Sequence, residues 1–309
     1  MPRCDVCFRQ CEIAEGRTGF CGARKCENGT VIPANYGRIT AAALDPIEKK
    51  PLKMFMPGSR IFSIGSYGCN LRCLFCQNSD ISWSDEAFGL AEVTPYHSPE
   101  EVVERAAELK QMGNVGIAFT YNEPLTGYEF VRDTAKLSHE TGLANVLVTN
   151  GTASEKVLNE ISPYIDAMNI DLKAFTDRFY KKIAGGDLDM VKHFIEGAVR
   201  TAHVELTTLI IPNENDSEDE MRALSAWVAS LQDKYKKTIP LHVTRFFPRF
   251  HMTDRDATPV GTVKRLAEVA RERLDTIVKS LLKIGIFCEN IPVGFNSPFG
   301  NSSIFLECS

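Results

Sequence analysis

Gly68-Cys69-Asn70-Leu71-Arg72-Cys73-Leu74-Phe75-Cys76-Gln77-Asn78 is the stretch on which the reading of this chain turns. Three cysteines this close together can bring three thiolates to one metal centre. A four-iron cluster ordinarily takes four cysteine ligands, so three leave one iron without a protein ligand. Catalytic metal sites keep such an open position, whereas structural zinc sites close all four. No cysteine or histidine follows nearby to complete a zinc clip. Just upstream, Ile61-Phe62-Ser63-Ile64-Gly65 is a short apolar strand that runs straight into the cysteines.

Strand and helix alternate beyond the loop. Ser98-Pro99-Glu100-Glu101 is a capping box with proline at the first helical position, and Val102, Ala106 and Leu109 form the buried stripe behind it. Strands are predicted at Val115 to Thr120, Ala144 to Val148, Ala167 to Leu172, Val204 to Ile211 and Leu241 to Phe246. Helices are expected up to Glu140, up to about Ala202, from Ser217, and from about Thr262 to Lys283, with a further strand over Ile284 to Ile291. Repeated strand–helix units make this an α/β protein with a parallel sheet and right-handed crossovers. Periodicity alone leaves an open sheet and a curled one as alternatives. In both, ligands bind at the carboxyl ends of the strands. Those ends carry the cysteine loop, Tyr121-Asn122-Glu123-Pro124, Thr149-Asn150-Gly151, Asp171-Leu172-Lys173 and Arg245-Phe246-Phe247-Pro248, which is a reason to treat them as one site.

The composition, 44% hydrophobic and 24% charged, is that of an ordinary globular protein. A net charge of -5 gives no overall attraction to nucleic acid or to an anionic membrane. No window of 18 apolar residues supports a membrane span, and the start has no signal-peptide pattern, so a cytoplasmic location is expected. Ten cysteines in such a chain point to metal ligation rather than a disulfide framework. Five lie between Cys4 and Cys26. Cys4, Cys7, Cys11 and Cys21 are a candidate auxiliary site for zinc or an iron–sulfur centre, with free thiols the competing reading and Cys26 left over.

The cysteine loop, with an aromatic before its third cysteine, resembles the radical S-adenosylmethionine (SAM) superfamily, in the pyruvate formate-lyase-activating-enzyme group. The resemblance implies a partial (β/α)6 TIM-like barrel with a small cysteine-rich N-terminal appendage. It also implies a [4Fe-4S] cluster on Cys69, Cys73 and Cys76, with SAM on the open iron and Phe75 near its adenine. Tyr121, Asn122 and Glu123 stand where many members have Gly-Gly-Glu, whose backbone binds the methionyl amine. Thr149, Asn150, Asp171 and Lys173 match the activase pattern for contacts to SAM, with a monovalent cation at Asp171 as a further candidate. Thr207 replaces a frequent arginine, and Arg245 offers a guanidinium for the SAM carboxylate instead. His242 is a weaker candidate, and His251 has no evident partner.

One subgroup fits more closely. Leu44-Asp45-Pro46-Ile47-Glu48-Lys49-Lys50-Pro51-Leu52, Tyr121-Asn122-Glu123-Pro124 and Arg245-Phe246-Phe247-Pro248 look like the AmmeMemoRadiSam system radical SAM family. Met54 replaces a histidine common there, and the usual C-terminal Cys-Pro-x-Cys pair is missing, with only Cys288 and Cys308 in that half of the chain. The expected organisation is a cysteine-rich segment over 1–60, a radical SAM core over 61–260 and a C-terminal helix and strand over 261–309. Reductive cleavage of SAM to a 5′-deoxyadenosyl radical would then serve a small-molecule or peptide substrate. The alternatives are an activase of a glycyl radical enzyme and a non-catalytic iron–sulfur or zinc carrier. Implied partners are a flavodoxin- or ferredoxin-type electron donor and either a glycyl radical enzyme or companion proteins.

Overall fold

A computed structural model describes residues 1–281. Cys288, Cys308 and the strand expected over Ile284 to Ile291 lie outside the described residues. A hairpin of β1 (Arg24–Glu27) and β2 (Thr30–Pro33) stands apart from the main sheet. The main sheet is built from β3 (Ala41–Pro46), β4 (Arg60–Gly65), β5 (Asn114–Phe119), β6 (Ala144–Thr149), β7 (Ala167–Asp171), β8 (His203–Ile210), β9 (Leu241–Arg245) and β10 (Ile277–Ser280). Its order follows the chain without reversal, from β3 at one edge to β10 at the other. All neighbours pair in parallel except β3, which runs antiparallel to β4.

That order decides between the two architectures. A doubly wound sheet reverses its strand order and carries helices on both faces. Here every crossover advances in one direction, and a fixed right-handed sense then stacks all the helices on one face. The sheet curls away from them into a partial barrel whose edges, β3 and β10, do not pair. The N-terminal segment is less separate than its composition suggests, because residues 41–46 supply the antiparallel edge strand.

Alternate strand residues therefore meet different surroundings. Phe62, Ile117, Phe119, Leu147, Met168 and Ile170 join the large core beneath the helices. Ile61, Ala118, Val146 and Ala167 form a second, smaller cluster, closed by Ile47 and Leu52 from the chain after β3. Ile47 and Leu52 are wholly buried, each contributing about 2 kcal/mol of apolar burial. The Glu205 carboxylate accepts from the Lys53 and Met54 backbone N–H groups at 2.9 and 2.7 Å, pinning that plug from β8.

Local signals explain most element boundaries. Both halves of the Ser98–Glu101 capping box form, and Ser217 caps the helix Glu218–Tyr235 by accepting from the Glu220 N–H. Gly142 takes φ +70 just after the helix Tyr128–Glu140. The last helix departs from expectation. It spans Val260–Arg271 and does not reach Lys283. Thr276, Ile277 and Val278 are β-branched, stiff at χ1 and better suited to a strand, and β9 offers an open edge that takes β10 in parallel.

Candidate functional site

The loop after β4 is held in place before its first cysteine. Asn122, at the end of β5, accepts from the Ser66 N–H at 3.0 Å and donates to the carbonyls of Tyr67 (3.1 Å) and Gly68 (3.0 Å). The Glu123 N–H donates to the same Gly68 carbonyl at 3.3 Å. Gly68 has φ +94, and a Cβ there would meet the Cys21 carbonyl at 2.8 Å and the Ala23 Cβ at 2.7 Å. Only glycine fits such a turn against another backbone.

Beyond Cys69 the loop docks on β6 and on the chain after β7. Asn150 donates to the Asn70 side-chain oxygen at 2.9 Å and approaches the Cys69 sulfur at 3.8 Å. Asn70 in turn donates to the Thr152 carbonyl at 2.8 Å. The Arg72 and Leu74 N–H groups donate to the carbonyls of Ala184 (2.9 Å) and Ile183 (3.1 Å). Those carbonyls lie in a π-helical turn, Tyr180–Ala184, which ends on Gly185 at φ +67. Single π-turns recur at functional sites. Arg72 also donates to the carbonyls of Cys69, Leu71 and Phe20 at 2.8, 2.7 and 2.5 Å. The π-turn did not stand out in the sequence, because nothing in its local pattern says that a loop more than a hundred residues away needs it, and the position of Arg72 inside the loop does not reveal which carbonyls it holds.

The candidate cofactor residues divide into two groups. Glu123 and Thr149 satisfy each other. The Glu123 carboxylate accepts from the Thr149 hydroxyl (2.7 Å), the Asn150 N–H (2.8 Å) and the Leu125 N–H (3.1 Å). Burial pushes its pKa up to about 7 in spite of these donors. Tyr121, at φ 72, donates its hydroxyl to Asp45 at 2.8 Å, and its carbonyl accepts from Asn78 at 2.7 Å. These residues brace the loop. Phe75, Asn150, Asp171, Lys173 and Arg245 form the second group. Lys173 Nζ lies 2.6 Å from Asp171 and 5.8 Å from the Phe75 ring centre. Burial would depress that ammonium's pKa, but the Asp171 carboxylate outweighs it and raises it. Lys173 thus already supplies a cation at Asp171. Arg245 is anchored through Nε on the Thr258 carbonyl at 2.6 Å.

Two histidines and one threonine found partners that the sequence did not reveal. His242 Nε2 sits 2.6 Å from Glu205, next to the plug. The His251 ring lies 3.8 Å from that of Phe250, tilted by 39°, and 5.7 Å from that of Trp83. The Thr207 hydroxyl donates to Asn169 at 3.0 Å.

The thiols themselves fit a cationic cluster. Burial raises the pKa of Cys69 and Cys76, and pushes Cys73 up to about 12 despite Lys173 nearby. Desolvated thiols of this kind ionise when a bound metal supplies the positive charge. Three such donors on one loop at the carboxyl end of a curled parallel sheet suit a cluster with one iron left open.

Comparison with known proteins shows the family. The Radical SAM superfamily model matches residues 63–224. The chain is 39% identical over 273 residues to the uncharacterised protein MJ0808 of Methanocaldococcus jannaschii, covering 87% of this chain and 78% of that protein. It is 26% identical over 193 residues to the pyruvate formate-lyase 1-activating enzyme of Escherichia coli K12, covering 60% of this chain and 75% of that enzyme. Streptococcus suis SuiB bound to S-adenosylmethionine shares the fold at a TM-score of 0.54 and 11% identity, over 70% of this chain and 48% of SuiB. Because the matched span runs from β4 through the cysteine loop and past β8, the chain belongs to the radical SAM superfamily.

Proposed function

We propose that this SAM-cleaving iron–sulfur enzyme takes hydrogen from a small-molecule or peptide substrate within the AmmeMemoRadiSam system that its motifs resemble. The carrying observation is a buried contact in which Asp45 receives both Lys50 Nζ at 2.7 Å and the Tyr121 hydroxyl at 2.8 Å. Tyr121 stands where activases have glycine, and Asp45 and Lys50 belong to the stretch by which this chain resembles the subgroup. One interaction uses all three. The loss of the glycine is therefore half of a matched exchange and not an isolated departure. A second reading, activation of a glycyl radical enzyme, is favoured by the likeness to the E. coli activase. The non-catalytic carrier is set aside by the family assignment.

In this reading Cys69, Cys73 and Cys76 hold the [4Fe-4S] cluster. When bound, it supplies the electron that cleaves SAM to methionine and a 5′-deoxyadenosyl radical. Phe75 packs against the nucleoside, and Asn150 orients the first cysteine. Arg245, fixed through Nε, keeps its two terminal nitrogens for a carboxylate, for which a planar fork is suited. Asp171 holds Lys173 charged beside Phe75. Glu123, Tyr121 and Asn122 position the loop. The electron comes from a low-potential donor of flavodoxin or ferredoxin type.

Anaerobic reconstitution with dithionite and SAM tests the chemistry. The expected result is release of 5′-deoxyadenosine, abolished by Cys73→Ala. An intact cluster that binds SAM and releases none would sink the proposal. Incubation with a glycyl radical enzyme is expected to give no glycine radical by electron paramagnetic resonance. A signal there would decide for the activase.

A further inference from the structure

Cys4, Cys7, Cys11 and Cys21 line a single cavity, together with Arg9, Arg24 and Asn70. Cys26 does not, and its thiol donates to Glu15 instead. Four cysteines spread over eighteen positions of sequence meet because the chain doubles back, the Cys4 N–H donating to the Cys11 carbonyl at 2.9 Å. Val6 and Ile13 close the apolar side. The cavity has an unmet polar group. Arg24 is 4% exposed, and its Nε has no hydrogen-bond partner among the described residues, although the far end of the guanidinium is bound to Glu129 at 2.6 Å. A buried N–H left without an acceptor is unfavourable, because it gives up water and gains no partner. A sulfur-rich anion in the cavity would give it one.

Four thiols without a further ligand can close either a zinc site or a four-iron cluster. Zinc has no redox chemistry, whereas a four-iron cluster exchanges single electrons, and this cavity lies against the loop that carries the other three clustered cysteines.

The cavity also adjoins the cysteine loop directly. The Cys69 N–H donates to the Cys21 carbonyl at 3.3 Å. Arg9 donates to the Asn70 carbonyl at 2.7 Å and to the Gly185 carbonyl at 2.6 Å. Asn70 lines the cavity together with Cys7 and, through Asn150, connects to the Cys69 sulfur.

We propose that Cys4, Cys7, Cys11 and Cys21 hold a second four-iron cluster, fully ligated by protein, that passes electrons to the SAM-binding cluster across Asn70 and the Cys21–Cys69 contact. A one-electron donor of ferredoxin or flavodoxin class reduces the N-terminal cluster by one electron. That cluster hands the same electron to the cluster on the loop and returns to its oxidised state. No bond is made or broken at the N-terminal site, and closed ligation suits that role because no substrate binds there.

The test uses the full chain, reconstituted anaerobically with ferrous iron and sulfide. Iron is expected at about eight per chain, falling to about four in Cys69→Ala/Cys73→Ala/Cys76→Ala, whose remaining reduced signal ignores SAM. If that triple variant binds one zinc, or no metal at all, the proposal is overturned. Cys7→Ala/Cys11→Ala should also lose half of the iron, while its remaining signal still responds to SAM. In that variant the rate of 5′-deoxyadenosine release with a ferredoxin donor, divided by the rate with dithionite, should fall at least about tenfold. An unchanged ratio would overturn the relay. This proposal rests on the radical SAM chemistry only for the transfer step. Iron counts in the triple variant judge the site even if no SAM is cleaved.

Discussion

At the scale of single residues, the positions that matter most are those whose partners lie far away in sequence. Glu205 is buried in β8 and receives four groups: the rings of His203 (3.0 Å) and His242 (2.6 Å) and two backbone N–H groups of the plug. Burial pushes its pKa up, but these donors together outweigh it and bring it down to about 2. A carboxylate depressed in this way stabilises the fold above its unfolded pKa, and that contribution is lost as pH falls towards 2. Stability should therefore drop between about pH 4.5 and about pH 2. Glu205→Gln should flatten that stretch of the denaturation-versus-pH curve. Glu205→Ala leaves several buried donors unmet and should cost about 3 kcal/mol by chemical denaturation at neutral pH. A loss under 1 kcal/mol would show that the plug does not depend on it.

At the scale of elements, the closeness of strands is set by small residues as much as by hydrogen bonds. A Cβ on Gly116 in β5 would lie 1.9 Å from the Ala144 carbonyl oxygen in β6. Two backbones cannot give way as a flexible side chain can. Gly116→Ala should separate β5 from β6 and destabilise the fold by at least about 3 kcal/mol, read from the midpoint of denaturation. The consequence reaches the site, since β5 ends in Asn122 and β6 leads into Asn150. Periodicity placed both strands without showing this approach. It also extended the last helix past Arg271, because the pattern could not register that β9 had a free edge for Ile277 and Val278.

At the scale of the whole molecule, iron bound at both cysteine sets, as proposed, would staple the N-terminal segment to the sheet. Arg72 lies 3.9 Å from the Phe20 ring centre and 5.3 Å from that of Trp83, so the segments carrying both cysteine sets share one packing surface. Removing iron with a chelator should therefore loosen more than the loop. The melting temperature should fall, and limited proteolysis should open first among residues 8–88 while the strands β5 to β9 stay protected. Uniform cleavage along the chain, or an unchanged melting temperature, would contradict this.

The sequence by itself determined the α/β class, the loop of three cysteines, and the strand ends on which polar residues gather. Those features depend on local spacing and on the fixed period of strands and helices, which any stretch of chain carries with it. It also brought out the four early cysteines, though as a count and not as a place. Tertiary structure decided the rest. Only the unreversed strand order shows that the sheet curls, and only folding brings Asp45 and Lys50 to Tyr121, Glu205 to the plug, and Cys21 to Cys69. These contacts join residues separated by roughly fifty to one hundred and fifty positions, and no local pattern encodes them. Each depends on the whole chain reaching one packed arrangement.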